Sequence, residues 1–294
     1  MKFTFHFRAA LALAVLAALA VSAAAQTAKP KKVFVITDLE GVDGIFDFNL
    51  QCIPWKSPLY PESRKLLTGE VNAAVAGLMA GGASQVMVYD GHYGGHNLSA
   101  LTIDPRATLL AGSPVSPTLG LNPTYSALVF IGLHAMAGTR GAILPHSFTW
   151  NIQNIWVNGI RVGEIGARVM LAGELGIPAI MLSGDTAACK EFHALVPAAD
   201  CAPVKTGVSA TAGTTLSHPA ACALIRKDAQ LAMERLDEIK PYSMKGPAEV
   251  KVEFATEPTP PAIVQQPGVE QVDGRTWIFR GKTFSDAWLK FRSF

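Results

Sequence analysis

The sequence predicts an α/β fold in which a mostly parallel sheet is covered by helices and is followed by a smaller α+β unit. Short runs that are apolar throughout, such as VFVIT and LVFIGL, alternate with longer amphipathic segments. Strands that are apolar on both faces are typical of a parallel sheet buried between helices. Beyond residue 200 the pattern changes to small residues, a long helical segment and a Pro-rich loop, so we divide the chain into an α/β domain over residues 31–200 and a second unit over residues 201–294.

The predicted elements follow one another in the order that such a sheet requires. A strand at 33–37 leads through a loop to a helix that begins near Glu62 and is closed by Gly81 and Gly82. The later elements are strands at 84–90 and 127–134, a hairpin turning at Asn158 and Gly159, a helix at 166–176, a strand at 177–185, a helix at about 219–239, a strand at 275–281 and a last helix.

The first 25 residues predict a secretory signal peptide. Lys2 and Arg8 precede an apolar, Ala-rich run, and Ala23 and Ala25 provide small residues for cleavage. The alternative is a membrane anchor, but the run is shorter than the ~20 residues that a bilayer span needs. We therefore expect an exported protein, periplasmic or secreted, with no membrane partner after cleavage.

The charge of the chain limits its expected partners, and its cysteines indicate where a disulfide can form. The formal net charge is +2, 16% of the residues are charged, and no basic run extends beyond KPKK, so nucleic acid is not an expected partner. The four cysteines are irregularly spaced and form no CxxC motif. In an oxidising compartment, Cys189 and Cys201 are the first pair that we expect to form a disulfide.

Side chains that suit a metal follow three of the predicted strands. Asp38 and Glu40 come after VFVIT, Asp90 and His92 after VMVY, and His134 after LVFIGL. The carboxyl ends of parallel strands share one edge of the sheet, where ligands bind in open α/β folds, so we expect these residues to lie close together. Residues two apart in extended chain face the same side, which places Asp38 beside Glu40 and Asp90 beside His92.

The pair of acids at the first strand end needs a compensating charge. Two carboxylates as close as Asp38 and Glu40 would raise the pKa of one of them unless a cation lay between them. Imidazole and carboxylate together suit zinc or a similar transition metal. Each motif taken singly is more typical of a turn, an N-cap or a half-buried histidine, and it is the repetition at three strand ends that favours a metal site.

Two further residues are candidates for the same site. His146 follows a proline in a loop that leaves the third of these strands and can return over the same edge. Glu164 stands at the start of a predicted helix, where the helix dipole favours an acid even without a ligand. We interpret His96 as a loop residue, and His193 and His218 as structural residues.

Five motifs in order, TDLEG, YDGH, GLHAMAGT, LPHS and NGIRVGEIG, resemble the zinc-dependent D-aminopeptidase family. The resemblance extends from about residue 33 to residue 205 and is weaker beyond. It implies two zinc ions per subunit, a ring-shaped homo-oligomer, and hydrolysis of small peptides from the amino end, with D-alanyl or other small residues preferred. The site residues that it implies are the metal ligands Asp38 (as the bridge between the ions), Glu40, His92, His134 and Glu164, and the catalytic histidine His146.

The sequence also departs from this family and leaves other functions open. The family type is cytoplasmic, an arginine expected after Lys205 is absent, and Asp185 is followed by Thr186 where a second acid is common. One alternative is a two-metal phosphoesterase, for which Arg140 and Arg161 are the candidate phosphate contacts. The other alternative is a non-enzymatic periplasmic binding protein.

Overall fold

Two sheets organise the residues that the computed structural model describes, which are 30–112, 120–244, 246–259 and 266–294. The strands are β1 Lys32–Thr37, β2 Gln85–Asp90, β3 Ala107–Leu110, β4 Ala127–Leu133, β5 Ile152–Val157, β6 Ile160–Val162, β7 Ala179–Asp185, β8 Asp200–Ser209, β9 Ala212–Thr215, β10 Ala248–Phe254, β11 Val269–Gln271 and β12 Thr276–Gly281. The helices are α1 Phe48–Gln51, α2 Tyr60–Ala80, α3 Glu164–Glu174, α4 Thr186–Leu195, α5 His218–Glu234 and α6 Phe284–Arg292, with a 3-10 turn at Leu236–Glu238.

The larger sheet has the order β3-β2-β1-β4-β7-β8-β9 and is parallel except at the β8–β9 pair. Every residue of β4 and β7 is buried, as expected for central strands that are covered on both faces. The helices pack in pairs, α2 with α5 and α3 with α4. Each fully buried Val, Leu or Ile side chain in such strands contributes roughly 1.5–3 kcal/mol to the free energy of folding. The buried central strands and the parallel order of the sheet confirm the predicted fold class.

The position of the site follows from the strand order. β1 pairs with both β2 and β4, and the chain proceeds from β1 towards one edge of the sheet and from β4 towards the other. Adjacent strands whose connections run in opposite directions leave a crevice at their carboxyl ends. The polar residues that follow β1 and β4 are therefore presented to the same crevice.

The smaller sheet is antiparallel and has the order β11-β12-β10-β5-β6, with α6 packed against β10 and β12. The predicted hairpin at Asn158 and Gly159 is confirmed, since β5 pairs with β6 and the two residues have φ angles of 48° and 82°, as a type I′ turn requires. This hairpin leads directly into α3. The smaller sheet thus fixes where α3 begins.

The boundary predicted at residue 200 does not separate the two sheets. β8 and β9 follow that residue but belong to the larger sheet, whereas β5 and β6 precede it and belong to the smaller one. Residues 31–294 form one compact unit. The small residues and Pro203 in β8 hid this strand from the sequence reading, because prolines are uncommon within strands.

The expected disulfide between Cys189 and Cys201 is present and joins α4 to β8. A crosslink across a separation of 12 residues restricts the unfolded chain and contributes about 3 kcal/mol in the chain-entropy model. Cys52 and Cys222 are free thiols, the first buried and the second half-buried.

The predicted signal peptide at residues 1–25 lies outside the described residues. Among the residues that are described, no helix combines the length and the apolar character needed to cross a bilayer.

Candidate metal centre

Side chains from five segments of the chain meet at the carboxyl ends of β1, β2 and β4. They form two groups, and within each group one ligand atom per residue lies within 4.8 Å of the others. The six site residues that the family resemblance implies all belong to these groups. The first group is Asp38, Glu40 and His92, and the second is His134, His146 and Glu164.

The first group is centred on the imidazole of His92. Its Nδ1 atom lies 2.9 Å from Oδ1 of Asp38 and 3.1 Å from Oε2 of Glu40. Its Nε2 atom lies 2.8 Å from the carbonyl of Cys52, which accepts a hydrogen bond. With the proton on Nε2, the lone pair of Nδ1 faces the two carboxylates, so Nδ1 is the atom available to a metal.

The second group is centred on His134 and uses the other ring nitrogen. Nε2 of His134 lies 3.4 Å from Oδ2 of Asp38 and 3.5 Å from Oε1 of Glu164. Nδ1 of His134 donates to the carbonyl of Ala135 at 3.1 Å, so the Nε2 lone pair is available. Glu164 also accepts a hydrogen bond of 2.7 Å from the backbone N–H of Phe148.

Asp38 links the two groups because each of its oxygens faces a different histidine. Oδ1 is directed to His92 and Oδ2 to His134. The backbone N–H of Leu39 donates to Oδ1 at 2.9 Å and helps to fix the orientation of the carboxylate. This arrangement suits a carboxylate shared between two cations.

His146 belongs to the second group but stands apart from its carboxylates. Its Nε2 atom lies 4.0 Å from Oε1 of Glu40 and 4.0 Å from Oε1 of Glu164. Its Nδ1 atom donates to the carbonyl of Leu144 at 3.0 Å. The Nε2 atom therefore faces the space between the two groups, at a greater distance from the acids than the nitrogens of the other two histidines.

Aromatic rings form one wall of the site. The His146 ring stacks on His134 at a centroid distance of 4.0 Å and on Trp150 at 4.7 Å. Phe48 meets Trp150 edge to face at 5.3 Å, and Tyr93 packs against His92 at 5.0 Å. Trp150 is 51% exposed and Tyr93 58% exposed, so these two rings form an apolar rim open to solvent.

The protonation equilibria of the site are tightly linked. Burial raises the pKa of Asp38, but the neighbouring imidazoles of His134 and His92 outweigh it and hold this pKa well below its usual range. Burial lowers the pKa values of both histidines, but the neighbouring carboxylates more than compensate and raise them well above the usual value. The pKa of Glu164 is lowered, because His134 outweighs the effect of burial. The acids thus attract positive charge strongly.

Two buried atoms of the site support a metal more directly. Oε2 of Glu40 and Nε2 of His134 are buried and have no hydrogen-bond partner within the described residues. Unpartnered buried polar atoms are rare in native proteins and cost about 1–3 kcal/mol each. A cation bound by these groups would satisfy both atoms, so the residues present fit a zinc centre.

Asp90 is the sequence expectation that the geometry corrects. Instead of pointing into the space near His92, its carboxylate accepts hydrogen bonds of 2.7–2.8 Å from the backbone N–H and side-chain amide of Asn97 and from the N–H of Leu98. The alternation of extended chain does not apply here, because β2 ends at Asp90 and the chain bends before His92. Asp90 therefore closes the 91–98 loop.

Two buried residues, to which the sequence patterns assigned no role, support the site from behind. Lys205 donates from Nζ to the carbonyls of Glu40 and Ile45 at 2.6 Å each, and burial lowers its pKa to about 8. Asp185 caps α4 and accepts a 2.7 Å hydrogen bond from the N–H of Ile143 in the loop that carries His146. An acid directly before a helix is a recognisable cap, but no local pattern signals the role of Lys205.

The other three histidines of the described residues lie outside the two groups. His96 is exposed and its ring lies 6.0 Å from that of Trp55. His193 is hydrogen-bonded to the carbonyl of Ala199 at 3.1 Å, and His218 is paired with Asp43 at 3.1 Å.

Comparison with known proteins places this geometry in context. The model of peptidase family M55, described as D-aminopeptidase, matches residues 31–293. The chain is 30% identical over 260 residues to a D-aminopeptidase of Bacillus subtilis (strain 168), which covers 87% of this chain and 94% of that relative. It is also similar to the structure of the Zn-dependent D-aminopeptidase DppA from Bacillus subtilis, described as a self-compartmentalizing protease, with a TM-score of 0.83, 28% identity, and coverage of 89% of this chain and 96% of that one.

Proposed function

The chain belongs to peptidase family M55, the D-aminopeptidases, and from this premise we propose that it is an exported aminopeptidase with two zinc ions per subunit. As a member of this family it is a metallo-aminopeptidase, a hydrolase that acts on peptide bonds. The proposed substrates are short peptides whose free amino-terminal residue is D-alanine or another small D-residue. An exported enzyme of this kind would meet such residues in peptides released from peptidoglycan.

The observation that carries the proposal of two ions is the orientation of Asp38. Its Oδ1 atom faces His92 and its Oδ2 atom faces His134, so two ligand sets share one carboxylate. In the proposed assignment one ion would be held by Asp38, Glu40 and His92, and the other by Asp38, His134 and Glu164. Carboxylate and imidazole ligands in such numbers, with positions left for water and substrate, are typical of catalytic zinc.

The chemistry divides between the metal and the protein. Zinc, when bound, lowers the pKa of water towards ~7 and polarises a carbonyl group. The protein supplies the proton transfer: the proton on Nδ1 of His146 is held by the Leu144 carbonyl, which leaves Nε2 to take a proton from the attacking water and deliver it to the leaving nitrogen of the scissile bond. Stacking between His134 and Trp150 fixes the plane of the His146 ring, so Nε2 keeps its direction during the transfer.

The rim of the site is consistent with a small apolar residue at the substrate's amino end. Phe48, Tyr93 and Trp150 surround the open side of the site with apolar surface. Such a surface favours a methyl side chain and limits the access of water around it.

The assembly and the destination of the chain are part of the same proposal. The similar Bacillus protein is described as self-compartmentalizing, and we infer a ring-shaped homo-oligomer for this chain as well. Light scattering coupled to gel filtration would measure the number of subunits. Amino-terminal sequencing of protein recovered from culture medium or periplasm would test export, and a chain that keeps residue 1 inside the cell would contradict it.

The two alternative functions have no support from the comparisons, since the relatives reported above are D-aminopeptidases. Arg161, one of the two arginines considered as phosphate contacts, donates a hydrogen bond to the carbonyl of Ala137.

One assay separates the three functions. Purified protein is given D-Ala-p-nitroanilide, L-Ala-p-nitroanilide or p-nitrophenyl phosphate, before and after treatment with 1,10-phenanthroline. We expect hydrolysis of the D-alanyl substrate, loss of this activity on chelation, and recovery with added zinc. Peptidase activity that survives chelation, or faster turnover of the phosphate ester, would contradict the proposal.

A further inference from the structure

Two arginines contact the same aromatic ring beside the metal centre. The guanidinium carbon of Arg168 lies 5.4 Å from the centroid of the Phe148 ring, and that of Arg292 lies 4.8 Å from it. Arg168 is in α3, one turn after Glu164, and Arg292 is the last residue of α6. Two distant parts of the chain thus bring two positive charges to one place.

Neither guanidinium forms an ion pair with an acid in the part of the chain that the structure describes, although the charge of Glu164 acts on both. Arg280 behaves differently, since it is paired with both Glu249 and Glu270. Burial lowers the pKa of Arg168 and the charge of Arg292 lowers it further, although a guanidinium stays protonated near neutral pH. A nearby anion would offset the repulsion between the two cations.

Phe148 connects this arginine pair to the metal centre. Its backbone N–H donates to Oε1 of Glu164 at 2.7 Å, and it lies two residues after His146. Its φ angle of 61° falls in the left-handed region, which is strained for an aromatic residue and implies that the surroundings hold it there. Its ring also packs against Trp288 at 5.4 Å.

The arginine pair is close enough to the centre to feel its charges. The carboxylate of Glu164 acts on both guanidiniums and opposes the fall in their pKa values, and Asp38 acts on Arg168. Arg168 is half-buried and Arg292 is exposed, so an anion that enters the site from solvent can reach them. Phe148 thus joins the ligand residue Glu164, through its backbone, to both guanidiniums, through its ring.

We propose that Arg168 and Arg292 bind the C-terminal carboxylate of the substrate, which makes the enzyme selective for small peptides with a free carboxyl end. The planar guanidinium group matches a carboxylate with two parallel hydrogen bonds. A peptide of two or three residues carries such a carboxylate close to its amino terminus, whereas a long peptide or a peptide amide does not. This inference rests on the proposed aminopeptidase function.

A purely structural role for the arginines makes a different prediction. Cations on the face of Phe148 contribute about 0.5–2 kcal/mol each and could serve to hold Phe148 against Glu164. Loss of an arginine would then impair hydrolysis of every substrate to a similar extent, because Glu164 would be displaced. If the arginines bind the substrate, their loss should instead impair the hydrolysis of peptides with a free C-terminal carboxylate more than that of peptides without one.

The kinetic test compares D-Ala-D-Ala with D-Ala-D-alaninamide, which lacks the charged carboxylate. Wild type is expected to prefer the free acid through a lower KM. Arg292→Gln and Arg168→Gln should each raise the KM for the acid about tenfold or more with kcat little changed, and should reduce the preference over the amide accordingly. Arg292→Lys should restore part of the preference, and Arg226→Gln, an exposed arginine on α5, serves as the matched control.

A binding measurement keeps the inference testable apart from catalysis. Calorimetric titration with N-acetyl-D-alanine, which has a carboxylate and no free amine, should give binding to wild type and about tenfold weaker binding to Arg292→Gln. Equal loss of kcat on both substrates, or equal binding of N-acetyl-D-alanine to both proteins, would overturn the inference. Binding of N-acetyl-D-alanine without hydrolysis of either dipeptide by wild type would leave the carboxylate site standing and refute the aminopeptidase proposal.

Discussion

The loop after β1 contributes acids to two neighbouring carboxylate pairs, and the repulsion within each pair is offset in a different way. Asp38 and Glu40 face the imidazole of His92, and Oε2 of Glu40 has no hydrogen-bond partner among the residues that the structure describes. Asp43, a few residues later, donates its backbone N–H to Glu70 at 2.9 Å. Its carboxylate pairs with a histidine of α5 at 3.1 Å.

The two pairs differ in what neutralises them. Burial and the charge of Asp43 raise the pKa of Glu70 to about 8, which favours a proton on Glu70 at neutral pH. At the first pair the pKa of Asp38 is held well below its usual range, and both acids are available to a cation. Close carboxylates are thus accommodated by a proton in one place and, in our proposal, by metal ions in the other.

Replacing one acid of each pair with asparagine is expected to give the largest difference in activity and zinc content. Asp38→Asn removes the carboxylate shared by both ligand sets, so we expect activity to fall to the level of chelated enzyme and zinc content to fall with it. Asp43→Asn should keep zinc and most of the activity. Kinetics with D-Ala-p-nitroanilide and mass spectrometry for zinc measure both properties, and a zinc-replete Asp38→Asn protein would show that the shared-ligand assignment is wrong.

His146→Ala is expected to have the next largest effect and to separate ligation from catalysis. Loss of a general acid or base reduces the rate by about 10²–10⁴-fold. Zinc content should stay at the wild-type level, because the Nε2 atom lies 4.0 Å from the nearest carboxylates. Zinc loss in this variant would make His146 a ligand, and unchanged turnover would remove its catalytic role.

Sequence patterns predicted those parts of the site that depend on local order. Asp38, Glu40 and His134 follow apolar strands directly, and the edge where parallel strands end brings them together. Glu164 had a better explanation as a helix-start acid, and family resemblance was needed to favour ligation. The side chain of Asp90 does not face the same side as His92, as the alternation of extended chain predicts, because the chain bends immediately after β2.

Long-range contacts account for what the sequence did not reveal. Lys205 contacts the backbone of Glu40 across 165 residues, through a strand whose small residues and proline gave no strand signal. The pairing of β5 with β10 joins segments on opposite sides of the predicted domain boundary. Each of these depends on tertiary packing, which no local periodicity encodes.

Lys205→Met tests how much the loop after β1, which carries Asp38 and Glu40, depends on the hydrogen bonds from the buried lysine. The change leaves the carbonyls of Glu40 and Ile45 without their buried donor, so we expect a loss of about 3 kcal/mol in the free energy of unfolding. Urea unfolding measures it, with Lys227→Met on the exposed face of α5 as the control. Equal stability of the two variants would mean that the loop keeps its place without the lysine.

Glu70→Gln addresses the second pair and is expected to give the smallest effect. An ordinary glutamate has a pKa of 4.5, whereas that of Glu70 is about 8 in the folded protein, so unfolding releases a proton between these pH values and the free energy of unfolding falls as pH rises. One proton corresponds to at most about 1.4 kcal/mol per pH unit. Urea unfolding at pH 5, 6 and 7 should therefore give a shallower decline for Glu70→Gln than for wild type or for the surface control Glu62→Gln. Parallel curves for all three proteins would show that Glu70 is ionised.

The most direct test of the whole account is the number and position of zinc ions in the wild-type protein. A crystal structure with anomalous data at the zinc edge, together with zinc content per chain from mass spectrometry, measures both. We predict two ions per chain, with Oδ1 of Asp38 on one and Oδ2 on the other. A single ion, or two ions that do not share Asp38, would contradict this prediction.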